Sequence, residues 1–164
     1  MAKKIEKLDA QMGRLFEENE PSLLSRMTSV KGIGAVTACL VVAAVPEIGT
    51  LGGKKAAMLA GVAPHTRQSG ETALPGHIGG GRLMARGALY MSAVSAIRHN
   101  HALGAFYGRK RAEGKPGMVA LTGVMRKLME LLERIAADPL FVPATPPPSP
   151  LPPSPPAPPL PPVL

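Results

Sequence analysis

At 164 residues, with 19 Lys plus Arg against 11 Asp plus Glu, one Cys and no Trp, the chain is long enough for one hydrophobic core and too short for two full enzyme domains. Thirteen of its 19 prolines fall in the last 22 residues, so the composition predicts one globular unit followed by a tail. A lone Cys39 excludes an internal disulfide, and charges interrupt the N-terminus where a signal peptide needs an apolar run. The longest apolar stretch, 35–45, ends at Pro46 well short of the ~20 residues that cross a bilayer. These features predict a cytoplasmic protein without a membrane partner.

In chain order, Ile5, Leu8, Met12, Leu15 and Phe16 recur at helical spacing and predict an N-terminal linker or coiled-coil-like helix over 1–20. Pro21 interrupts that stripe, and a helix begins near Ser22 with Leu23, Leu24 and Met27 on its apolar side. A turn over Lys31–Gly34 leads to a helix from Ala35 to Ala44, which Pro46 stops. A loop to Gly53 and a short helix over 54–61 follow. Residues 62–82 hold two prolines and five glycines, which predicts an irregular segment of about 20 residues, a length that is usually functional or disordered. Helices are expected over 82–100, 101–112 and 116–137. The face of the first of these carries Leu83, Leu89, Tyr90, Val94 and Ile97, while Met118, Met125 and Met129 serve as core filler in the last. The fold class is therefore all-α, with the main domain over 21–138 and a disordered proline-rich tail over 139–164.

Charge is concentrated in the middle of the chain. Residues 54–127 hold 12 basic groups against Glu71 and Glu113, whereas residues 1–53 balance six against six. A block this one-sided fits a polyanion whose counterions are released on binding, which makes nucleic acid the leading partner class.

Two motifs carry chemistry. Residues 23–45 have the form of a helix-hairpin-helix around Lys31-Gly32-Ile33-Gly34. Its glycines allow a tight turn close to a phosphate, its helix-start amides face the anion, and Ile33 plugs the turn into the core. Such a device grips the backbone without reading sequence. The second motif is a serine, Ser69, in the glycine-rich segment 62–82 between Arg67 and the pair Arg82 and Arg86. A hydroxyl there can attack a phosphodiester if cations stabilise the charge that develops. No acid or histidine base stands at a fixed spacing from it. Arg109-Lys110-Arg111 forms a further basic cluster suited to phosphates. His99 and His101 make a close pair without Cys or acidic company, so no metal site is expected.

Taken in order, Val30-Lys31-Gly32-Ile33-Gly34, Leu59-Ala60-Gly61-Val62-Ala63-Pro64, Arg67-Gln68-Ser69-Gly70, Ile78-Gly79-Gly80-Gly81-Arg82 and Arg86-Gly87-Ala88-Leu89-Tyr90-Met91 resemble one known pattern. It is the C-terminal transposase domain of insertion-sequence recombinases that carry an N-terminal DEDD resolvase-like domain, the bridge-RNA-guided group. The resemblance runs from about Leu23 to Ala136. It implies DNA strand exchange through a serine that becomes joined to DNA, and Ser69 is the matching position. It further implies phosphate contacts from Arg67, Arg82 and Arg86, a structured guide RNA, homo-oligomeric assembly and a nucleoid location, while Lys31, Gly32, Gly34, Arg109, Lys110 and Arg111 are the further phosphate-binding candidates read from the hairpin and the basic cluster. Mg²⁺ is implied only through the resolvase-like domain, which the resemblance does not place within this chain, so no cofactor and no independent activity are expected of it. The competing readings are a non-catalytic helix-hairpin-helix binder of DNA or RNA, and a tail that docks on an aromatic groove.

Overall fold

A computed structural model describes residues 21–69 and 72–143, together with Lys7, Ala10, Gln11, Gly13 and Arg14 near the N-terminus; for residues 65–69 and 72–76 it describes the backbone. Most of the expected linker helix and residues 144–164 of the proline-rich tail lie outside the described residues. From residue 21 onward the described chain forms six helices and one β-ribbon: α1 (Pro21–Thr28), α2 (Ala35–Ala44), α3 (Gly53–Leu59), β1 (Pro64–Ser69), β2 (Thr72–Ile78), α4 (Leu83–His99), α5 (His101–Ala112) and α6 (Gly117–Ala137). The body is helical. No helix among the described residues is long and apolar enough to cross a membrane.

Local sequence explains where the helices begin and end. Pro21 opens α1, where its missing N–H is harmless. Pro46 lies two residues beyond α2, whose capping residue Val45 has left helical geometry. The Asn100 side chain accepts a hydrogen bond from Leu103 N at 3.3 Å and so caps α5 as α4 ends. Pro116 precedes the first turn of α6.

The long helices α4 and α6 form the centre. α4 packs on α2, α5 and α6, while α3 lies along α6. Leu121, Val124, Met125, Leu128, Met129, Leu132 and Ile135 form the buried face of α6 at spacings of three and four. They meet Leu89, Ala93 and Ala96 of α4, Met27 and Val41 from the first two helices, and Val30 and Ile33 from the turn between those two, in one cluster. Small residues dominate α4's buried side, which lets the helices approach closely. Ser92, also buried, donates to Thr37 Oγ1 of α2 at 3.0 Å and satisfies its own hydroxyl at that contact.

Three expectations from the sequence need correction. Segment 62–82 is not irregular throughout, because Pro64–Ser69 and Thr72–Ile78 pair as an antiparallel ribbon. Met118 is 62% exposed and fills no core, unlike Met125 and Met129. Leu83 and Tyr90 likewise lie on the outer side of α4, at 69% and 38% exposure. In both helices the residues concerned fall outside the arc that faces the neighbouring helices.

Candidate nucleic-acid interface and serine ribbon

The turn between α1 and α2 is set by one glycine. Gly32 has φ +105°, and a Cβ there would lie 2.6 Å from Ala96 Cβ on α4, so only glycine permits both the backbone conformation and the contact. Ile33 is buried beneath the turn, as its position between the two glycines suggested. Lys31, Gly34, Ala35 and Val36 are exposed around it. Gly34 caps α2 in an extended conformation without a side-chain hydrogen bond, so the first-turn amides of α2 face outward uncapped.

The ribbon has a built base. Ser69, the last residue of β1, pairs with Thr72, the first of β2, and Arg67 stands two positions before it, opposite Leu74. The register slips between His65 and Arg67, where β2 carries one residue more than β1. That bulge accommodates Pro75 and Gly76, which a regular ladder would reject. At the base, Gly61 and Gly81 meet backbone to backbone, and a Cβ on Gly81 would run into the Gly61 main chain. Arg82 N donates to Leu59 O at 2.8 Å, and Val62 N and Ala63 N donate to Ala57 O at 3.0 and 3.2 Å.

The arginines around this base have different partners. Arg86 Nη1 reaches Gly80 O at 3.2 Å. Arg82 donates to Glu47 through Nη1 and Nη2, at 2.6 and 2.8 Å, and through Nη1 to Ala44 O at 2.9 Å, which satisfies a carbonyl at the end of α2. The Arg82 hydrogen bond holds the Glu47 carboxyl down at about 2, and the same bond pushes the guanidinium up. Glu47 gave no signal in the sequence, since it is a single acid after Pro46 in a loop.

Arg109, Lys110 and Arg111 end α5. The Arg109 guanidinium lies 5.4 Å from the Phe106 ring centroid, Lys110 Nζ holds Glu113 at 2.7 Å, and Arg111 Nη1 donates to Lys115 O at 2.7 Å. These bonds order the cluster at the surface. The Gly32 turn and the ribbon base are not brought together: Ala96 and Arg82, their contacts on α4, are separated by about 20 Å of helix. A cleft of about 440 Å³ lies between the ribbon base, at Val62 and Ile78, and Met118, Thr122 and Arg126 of α6.

Two other groups escaped the sequence reading. Glu133 is buried at 2% exposure, and its carboxylate accepts from Gly49 N at 2.8 Å, Leu51 N at 2.8 Å and Gly52 N at 2.7 Å. Arg26 Nη1 donates to Ile135 O at 2.6 Å and Asp138 O at 2.9 Å, which closes the end of α6. Burial pushes the Cys39 thiol up, so it stays protonated and is a poor nucleophile at neutral pH. No three His, Cys, Asp or Glu residues gather into a metal-binding group among the described residues. The carboxylates of Glu47 and Glu133 are already engaged as described.

Comparison with known proteins places this geometry. The insertion element IS110 uncharacterized 43.6 kDa protein of Streptomyces coelicolor is 33% identical over 138 residues, covering 82% of this chain and 33% of that protein. The chain thus spans about a third of the length of this relative. Residues 24–108, which include the α1–α2 turn, the ribbon and α4, match the model of the transposase IS116/IS110/IS902 family. On that match and the similarity to the Streptomyces protein, the chain belongs to the IS116/IS110/IS902 transposase family, as its C-terminal transposase domain.

Proposed function

We propose that this domain binds DNA and, completed by the rest of a family transposase, takes part in strand exchange with Ser69 as nucleophile. The observation that carries the reading is the placement of Ser69 at the tip of a ribbon whose base is fixed by backbone contacts, two positions after Arg67. In the step envisaged, the Ser69 oxygen forms a bond to a backbone phosphorus while the bond to one sugar oxygen breaks. The serine proton leaves, and the departing oxygen takes one up. Cations near the phosphorus stabilise the extra negative charge, a role suited to Arg67 and Arg86.

Lys31, Gly32 and Gly34 would hold a second stretch of backbone at the exposed start of α2, in the manner of a helix-hairpin-helix. Arg109, Lys110 and Arg111 would add charge at the end of α5. A structured guide RNA and a second protomer are the further partners this reading implies, and Mg²⁺ would come with a resolvase-like domain. A non-catalytic helix-hairpin-helix module is the second reading, favoured by a turn that contacts α4 far from the ribbon.

The test incubates the chain and its Ser69→Ala variant with nicked duplex DNA in the presence of a resolvase-like domain of the family. A protein–DNA adduct that survives denaturing electrophoresis and disappears in Ser69→Ala is the expected result. Binding without any adduct selects the non-catalytic reading, and an adduct that persists in Ser69→Ala excludes this serine.

A further inference from the structure

Arg82 has two possible uses: to hold phosphate directly, or to build the site. Its guanidinium is engaged on two sides, by both Glu47 oxygens and by Ala44 O. Its backbone N–H is bonded to Leu59 O, and its predecessor Gly81 is pressed against Gly61. One residue thus joins the end of α2, the loop after it, the end of α3 and the exit of β2. The loop that carries Glu47 is itself anchored, because Gly49, Leu51 and Gly52 donate to the buried Glu133 carboxylate of α6. An unbroken set of bonds therefore runs from the central helix through the loop and Arg82 to the base of the ribbon. A planar fork held bidentately is well suited to fixing an orientation, which a lysine at the same place would not do.

We propose that Glu47 is a positioning residue: by holding the Arg82 guanidinium it fixes the base of the Ser69 ribbon, and Arg82 is a strut of the site rather than a ligand for phosphate. The proposal rests on the reading of Ser69 as the nucleophile only for its functional meaning; the anchoring itself is a property of this chain. Glu47 takes the end-on edge of the Arg82 fork and offsets its charge, and Ala44 O takes the second Nη1 proton, whereas Arg86 has a single bond at 3.2 Å.

Two measurements on the full 164-residue chain decide it. The first is amide hydrogen exchange, followed by NMR, in the parent, Glu47→Gln, Glu47→Asp and Arg82→Lys. Loss of the clamp should speed exchange at the Arg82, Val62 and Ala63 amides about tenfold or more in Glu47→Gln and Arg82→Lys, with α6 core amides within about twofold of the parent. Glu47→Asp, which keeps the carboxylate, should stay within about threefold. Unchanged exchange, or a rise spread evenly over α4 and α6, would overturn the proposal in favour of no role or a merely structural one. The second is the salt dependence of duplex DNA binding. A phosphate ligand lost in Arg82→Gln lowers the slope of log K against log salt by about 0.9, whereas a strut leaves it unchanged. Tighter binding by Glu47→Gln would also overturn the proposal, because it would mean that Glu47 merely masks Arg82. Should the chain bind no DNA, or the adduct survive Ser69→Ala, the catalytic reading of the ribbon falls, and the exchange result still decides whether Glu47 anchors its base.

Discussion

Single side chains hold the connections between helices in this domain, and two acids do so in different ways. Glu133 sits in the core with three backbone donors on its two oxygens. Glu133→Gln replaces one acceptor with an NH₂ that faces a donor, so urea unfolding should show a loss of about 2–4 kcal/mol. Glu47 acts at the surface, and its contribution depends on pH. Its carboxyl falls from an ordinary value of 4.5 to about 2 in the folded chain. A depressed carboxylate stabilises the fold above its unfolded value, and that contribution is lost as pH falls from about 4.5 through 2. The melting temperatures of the parent and Glu47→Gln should therefore differ at pH 7 and converge near pH 2. Neither acid announced itself in the sequence: a lone Glu in a loop and a Glu among the leucines of an amphipathic helix look like solvated residues until the partner chain segments arrive. Arg82 was legible as important from its place after three glycines, but its partner was not, because Glu47 lies 35 residues away.

At the scale of elements, boundaries were the most legible feature. Helix α2 was expected over Ala35–Ala44 and is found there, because Pro46 and the preceding glycine impose local limits that no tertiary contact needs to supply. The ribbon was hidden for the opposite reason. Its prolines and glycines read as loop, and only the bulge opposite Thr66 lets them take part in a pairing. Two glycine replacements probe these elements. Gly32→Ala would place a methyl 2.6 Å from Ala96 Cβ at φ +105°, and about 2–3 kcal/mol of stability should be lost in a denaturant titration. Gly81→Ala strikes the Gly61 backbone, and it should disturb the 61–64 and 78–82 amide resonances while leaving the helical far-UV signal close to that of the parent.

For the whole molecule, net charge and its distribution govern association. With +8 overall and 12 basic groups between 54 and 127, binding to linear duplex, four-way-junction DNA and structured RNA should weaken steeply with added salt. Ser69→Ala should leave that binding within about twofold, since a neutral hydroxyl carries no counterion-release term. Removing residues 143–164 should have little effect on it, because the tail holds no basic side chain. A fluorescence anisotropy titration across salt concentrations checks all three statements, and loss of binding on removal of the tail would contradict the last.

What the sequence determined by itself about this protein is local or additive: helix limits written by proline and glycine, the all-α class written by apolar spacing, the charge excess written by composition, and a family pattern of ordered short motifs. The tertiary structure decided which of these residues share a site. It set the Gly32 turn and the ribbon base at separate places on α4, gave Arg82 to Glu47, and buried Glu133 beneath a loop. The physical reason is that hydrogen-bond partners distant in sequence are chosen by the packing of whole helices, whereas caps, turns and periodicity are set within a few residues of where they act.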